Sequence, residues 1–171
     1  MRTETAGPGD PKTEGLEQTL VDLARAFVSL GEEIAALGGV TPQQWAILHQ
    51  VGAAGDAGIS PSDLATLNGT SRANITKLVA RLGRIGQVAA LPSPVDGRQK
   101  RLALTVAGQR ALLRMNGEKA YRLARALEAF STKERAELGQ LAGTLLRDLG
   151  AGRPRGRPTA ARGGRPPLRR A

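Results

Sequence analysis

The sequence predicts a mainly α-helical fold of about six helices with one two-stranded β-hairpin. Three observations predict it. Apolar residues recur every three or four positions through most of residues 16–149, capping signals for helix starts recur along the chain, and RLALT, residues 101–105, alternates with a period of two. With 171 residues and 40% hydrophobic content, the chain has room for one core plus tails.

Residues 1–15, rich in Gly, Pro, Thr and charge, read as a disordered lead-in. A first helix follows over about 16–37. Its Leu16, Leu20, Leu23, Phe27, Leu30, Ile34 and Leu37 alternate steps of four and three, the seam of a helix that packs lengthwise against another helix. Thr41, Pro42 and Gln44 then supply a cap, a pre-set first residue and a capping box, with Trp45, Leu48 and Val51 on the buried face and an end near Gly52. Ser60, Pro61 and Asp63 start a short third helix that Asn68 and Gly69 end.

The fourth helix is SRANITKLVARL, residues 71–82, started by Thr70 or Ser71. Ile75, Leu78, Val79 and Leu82 share one face, Arg72, Asn74, Lys77 and Arg81 lie largely off it, and Gly86 closes it. VAAL and RLALT read as two strands joined by PSPVDGRQ, whose Pro and Asp-Gly suit a hairpin tip. Thr105 caps a long fifth helix to about Phe130. Ser131 and Glu134 form a capping box for a sixth, carrying Leu138, Leu141, Leu145 and Leu149. From Gly150 the chain is too poor in apolar residues to form a core and reads as a disordered basic Arg/Gly/Pro tail over 150–171.

Composition narrows the function. Without cysteine there is no disulfide or thiolate site, and a single His, His49, cannot build a His cluster within one chain. No nucleophile motif or phosphate-cradling glycine loop appears, so neither an enzyme nor a metal or cofactor is expected. No segment approaches the roughly 18–20 apolar residues of a membrane span, and the amino terminus lacks a signal-peptide core, so the expected location is the cytoplasm, on the nucleoid, with no membrane partner.

The formal charge of +10 is unevenly spread. Seven arginines and no acid lie beyond Gly150, and between Thr70 and Arg101 the residues Arg72, Lys77, Arg81, Arg84, Arg98, Lys100 and Arg101 face only Asp96. Solvated helix faces ordinarily mix signs; this field points to an anionic partner such as nucleic acid.

The short third helix, the turn at Gly69 and the basic fourth helix make a helix-turn-helix, in which Ala65 permits close approach while Ile75 and Leu78 pin the second helix. The hairpin behind it makes the arrangement winged. The run from TPQQWAILHQV through SPSDLATLNGTSRANITKLVARLGRIGQVAALPSPVDGRQKRLALTVAG resembles the MarR family of bacterial transcriptional regulators. Asp96-Gly97-Arg98, then Lys100-Arg101, Leu104-Thr105 and Gly108, carry the resemblance most specifically.

The resemblance implies a triangular, intertwined homodimer over residues 16–149. Its DNA-binding lobe would span about 41–105 and its dimerisation helices about 16–37 and 106–149. It also implies a repressor on a pseudo-palindromic operator, released by a small-molecule effector. Ser71, Arg72, Asn74, Thr76 and Lys77 are then the candidates for the major groove; which of them touches a base the sequence leaves open. Ser60, Arg81, Lys100 and Arg101 would serve the DNA backbone. Arg98, oriented by Asp96 beside Gly97, is similar to the family's minor-groove arginine. The family also binds small aromatic or phenolic ligands between dimer helices and winged lobe. His49, four residues after Trp45, either lines such a pocket or is a structurally satisfied histidine, and Trp45 is either core or ligand platform.

Pro154-Arg155-Gly156-Arg157-Pro158 resembles the AT-hook core, an extended segment that fits the minor groove of A·T-rich DNA. The same string also arises from an Arg-, Gly- and Pro-rich composition. A rival expectation follows from it: an architectural DNA-binding protein of low sequence specificity, driven by the tail.

Overall fold

The computed structural model describes residues 11–92 and 100–150. The elements run α1 (Pro11–Leu37), α2 (Pro42–Ala53), a single 3₁₀ turn (Gly55–Ala57), α3 (Pro61–Leu67), α4 (Arg72–Arg84), β1 (Val88–Pro92), β2 (Lys100–Leu104), α5 (Val106–Ala126) and α6 (Thr132–Asp148). Among the described residues the six α-helices and the paired strands are thus as the sequence predicts.

The caps set most of these boundaries. Thr41 and Gln44 form the reciprocal capping box, as do Ser131 and Glu134. Ser60, Ser71 and Thr105 each accept the backbone N–H three residues on. Each cap satisfies a donor that the first helical turn leaves without an intrahelical partner.

Four boundaries differ from expectation. Helix α1 begins at Pro11 rather than at 16, because a proline at the first position and acids in the following turns suit a helix start despite the polar composition. Helix α2 runs one residue past Gly52, to Ala53. Helix α5 ends at Ala126, short of Phe130: Leu127 caps its carbonyls, and the Ser131 box opens α6. Thr105, read as the last strand residue and as a cap, serves only as the cap.

Strands β1 and β2 pair antiparallel, Val88 opposite Leu104 and Pro92 opposite Lys100. Ile59 adds a bridge to Leu102, its N–H donating to the Leu102 carbonyl at 3.0 Å and its carbonyl accepting in return at 2.8 Å. That one-residue third strand was not foreseen, since a single Ile beside Gly58 shows no alternation. It fastens the wing to the segment leading into α3.

The chain divides into two units, Met1–Ala129 and Phe130–Ala171. The first holds the core: Ile34 and Ala35 of α1; Ile47, Leu48 and Val51 of α2; Leu64 and Ala65 of α3; Ile75 and Leu82 of α4; Val88, Leu102, Ala111 and Met115. Leu78 and Val79 pack half-buried against it. The α1 seam behaves differently along its length: Ile34 is fully buried, whereas Leu16, Leu23 and Phe27 are 57%, 48% and 51% exposed. In the second unit, Leu138, Leu141, Leu145 and Leu149 share one exposed face of α6.

Candidate nucleic-acid interface

The reversal between α3 and α4 is built by backbone and amide bonds. Gly69 sits at φ +58°, in the left-handed region that costs glycine least, and the Thr70 N–H donates to Ala65 O at 3.0 Å. Asn68 fastens the turn: its Nδ2 donates to Leu64 O at 2.6 Å and to Gln50 Oε1 at 2.8 Å, and Gln50 Nε2 returns a bond to Asn68 Oδ1. Sequence reasoning gave Asn68 only a helix-ending role and missed the tie to α2.

Helix α4 contains no acid, and its buried face is Ile75 and Leu82. At about 100° per residue, the positions diametrically opposite are Ala73, Lys77, Ala80 and Arg84, spaced four, three and four. All four are exposed. Two small side chains alternate with two cations along this ridge and leave room for close approach to a groove floor. Ala73, Ala80 and Arg84 were not among the expected contacts, although counting helical phase out from Ile75 would have found them.

The expected major-groove set is brought onto one helix but is not equivalent. Ser71 Oγ is engaged by the Asn74 N–H, Asn74 Nδ2 donates to Thr70 Oγ1 at 3.1 Å, and Thr76 Oγ1 donates to Arg72 O at 2.8 Å. These three are occupied locally. Arg72, at the first turn, and Lys77, mid-ridge, are exposed and form no ion pair among the described residues.

The expected backbone contacts also divide. Arg81 and Lys100 are exposed, on α4 and at the start of β2. Arg101 is half-buried and its Nε donates to Gly58 O at 3.1 Å, so part of its guanidinium ties the wing to the loop before α3. Ser60 is engaged on both sides by Asp63, accepting from its N–H at 3.1 Å and donating to its Oδ2 at 2.8 Å. A phosphate at Ser60 would have to approach that carboxylate, which removes much of the helix-terminus attraction expected there. Asp96, Gly97 and Arg98 at the wing tip, and Arg155, Gly156, Arg157 and Pro158 in the tail, lie outside the described residues.

Trp45 and His49 are brought together with α5. Their ring centroids are 5.6 Å apart, and Lys119 Nζ stands 5.5 Å from the Trp45 ring centroid. Trp45 packs half-buried against the core, while Trp45 Nε1 and Asn116 Oδ1 are buried without a partner among the described residues. Burial first, and the Lys119 charge second, hold the His49 imidazole below its ordinary pKa, opposed by the Asn116 side-chain amide beside it. Among the described residues no group of three acids, histidines or cysteines could hold a metal, and no helix is long and apolar enough to cross a membrane.

Comparison with known proteins agrees with this geometry. Residues 38–99 match the profile of the MarR family. The chain is 32% identical over 112 residues to the transcriptional activatory protein BadR of Rhodopseudomonas palustris, an overlap spanning 63% of this chain and 64% of that protein's length. The crystal structure of YusO from Bacillus subtilis superposes with a TM-score of 0.71 at 19% identity, over 82% of this chain and 99% of that one. A mutant of S. aureus MepR bound to an oligodeoxyribonucleotide superposes with a TM-score of 0.60 at 16% identity, over 78% and 97%. The fold is therefore a winged helix of the MarR type.

Proposed function

We propose that the chain is a DNA-binding transcription regulator of the MarR family, acting in the cytoplasm as a homodimer on a pseudo-palindromic operator. The observation that carries this reading is the acid-free α4 with its Ala73, Lys77, Ala80, Arg84 ridge, on a helix-turn-helix followed by a paired wing. Helix α4 enters the major groove, Lys77 and Arg84 meet base edges or flanking phosphates, and Arg72, Arg81 and Lys100 neutralise backbone. Arg98, with Asp96 and Gly97, is assigned the minor groove.

Homodimerisation is supported by the exposed apolar seam of α1 and the exposed leucine face of α6, each too large to leave in water on a soluble chain. Two α4 helices one DNA turn apart, about 34–36 Å, then read the two half-sites. An effector bound by Trp45 and His49 between α2 and α5 would alter that spacing and weaken binding, which makes the regulator a ligand-released repressor.

A second sign is favoured by one observation, the activatory role in BadR's name. Physically the sign depends on where the operator lies relative to the promoter, so the same dimer can block or recruit polymerase. The architectural alternative has less support, because the paired wing and basic ridge suit sequence readout. A reporter driven by the DNA upstream of the chain's own gene, measured with and without the protein, separates the signs: reporter falling with the protein supports the repressor, rising supports the activator. Fluorescence anisotropy on the same DNA against scrambled DNA tests the binding itself.

A further inference from the structure

Helix α3 is seven residues long and buries only Leu64 and Ala65. Helix α4 is anchored in the core through Ile75 and Leu82, so its first turn, which carries Arg72 and Ala73, projects beyond the first of those anchors. The chain between the two helices is bonded mainly to itself: the Gly69 N–H donates to Thr66 O at 3.2 Å and the Thr70 N–H to Ala65 O at 3.0 Å. Those bonds shape the turn without fixing where it stands.

What joins the turn to another element is the amide pair of Gln50 and Asn68. Asn68 Nδ2 donates to Gln50 Oε1 at 2.8 Å, and Gln50 Nε2 donates to Asn68 Oδ1 at 3.3 Å. Two bonds side by side fix an angle as well as a distance. Among the described residues no other side-chain hydrogen bond or ion pair ties residues 67–71 to an element besides α3 and α4. Asn68 caps the end of α3 and lies three residues before Ser71, the cap of α4. Gln50 stands on α2, whose Ile47, Leu48 and Val51 lie in the core. The pair therefore fastens the reversal to a firmly packed helix.

The pair faces solvent, and water replaces either bond when a partner is lost, so it adds little to global stability. Groove readout is more demanding, because the contacting side chains must be held within about 0.5 Å of their places. Attraction to phosphate is independent of sequence and has no such requirement. A turn released from α2 samples other orientations, and specific affinity falls by the fraction of chains still in the competent one.

We propose that Gln50 is a positioning residue for DNA recognition: acting through Asn68, it holds the α3–α4 reversal against α2 and so sets the pitch at which α4 meets the groove. Gln50 itself touches no DNA. The inference rests on the reading of α4 as the DNA-facing helix.

The test is fluorescence anisotropy of the full chain on the pseudo-palindrome upstream of its own gene and on scrambled DNA, with urea midpoints measured alongside. Gln50→Met keeps the side chain's length and helix preference but removes both bonds. It should cut the ratio of palindrome to scrambled affinity about fivefold, with scrambled-DNA affinity and urea midpoint near wild type. Gln50→Glu retains the oxygen that accepts at 2.8 Å and should hold the ratio above that of Gln50→Met; its added charge acts on both DNAs alike and drops out of the ratio. Gln43→Met, exposed on the same helix, should leave the ratio unchanged. A wild-type ratio in Gln50→Met, a ratio no better in Gln50→Glu, or an equal loss in Gln43→Met overturns the proposal. So does a parallel loss on both DNAs, since Gln50 would then be a backbone contact, and so does a ratio that falls only together with the urea midpoint, since the effect would then be unfolding. A wild-type chain with no preference for the palindrome overturns the regulator reading and this inference together, whereas a preference that survives Gln50→Met overturns this inference alone.

Discussion

Single residues fix the joints of this fold. A Cβ on Gly108 would run into the Gln87 carbonyl oxygen, which accepts from the Thr105 N–H at 3.1 Å where the wing closes onto α5. Neither group can yield without breaking that closure. Gly108→Ala should therefore cost about 3 kcal/mol of stability, read as a lower urea midpoint. His49 gives a pH signature. Its folded-state pKa lies below the ordinary 6.5, so the unfolded chain takes up the proton first as pH falls. Stability should be full above about pH 6.5 and decline as pH drops through the folded value, and His49→Gln should flatten that decline in thermal melts across pH 7 to 5. At the DNA face, Lys77→Ala should weaken binding to all sequences and reduce the slope of log K against log salt by about 1, whereas Ser71→Ala should mainly cost helix stability through the lost cap, about 1 kcal/mol.

At the scale of elements, periodicity and caps were legible because they are local. The 3–4 spacing of apolar residues, the two capping boxes and the basic, acid-free α4 all sit within a few residues of one another in the chain. What escaped depends on contacts between distant residues. The Ile59 bridge to Leu102 and the Gln50–Asn68 amide pair, 18 residues apart, leave no mark in the local pattern. Nor does periodicity reveal that Ser60 is engaged by Asp63, or that Ser71, Asn74 and Thr76 are occupied by neighbours, since a polar residue on an exposed face scores alike whether its hydrogen bonds are free or used. The α1 seam was legible as a packing stripe, and its exposure in a single chain says which end needs a partner: Ile34 is buried, Leu23 and Phe27 are not. Replacing both Leu23 and Phe27 by Glu should convert a dimer to a monomer in light scattering while leaving the far-ultraviolet dichroism helical, because neither side chain belongs to the buried core.

At the scale of the whole molecule, the proposed dimeric reader of DNA draws on a basic helix-turn-helix, a wing and two exposed apolar helix faces. The charge distribution makes the rival concrete: seven arginines beyond Gly150 would supply a sequence-independent attraction to phosphate, whereas on the proposed reading the acid-free α4 supplies the groove contact. The two contributions differ in how they respond to sequence. The most direct measurement is fluorescence anisotropy near physiological salt, comparing the full chain with a chain ending at Gly150, on the pseudo-palindromes upstream of its own gene and on scrambled DNA of the same length. The account predicts that both chains prefer the palindrome strongly and that the tail adds affinity to both DNAs alike. Loss of all binding on truncation, or equal competition by scrambled DNA, would contradict it and leave the arginine tail as the source of binding.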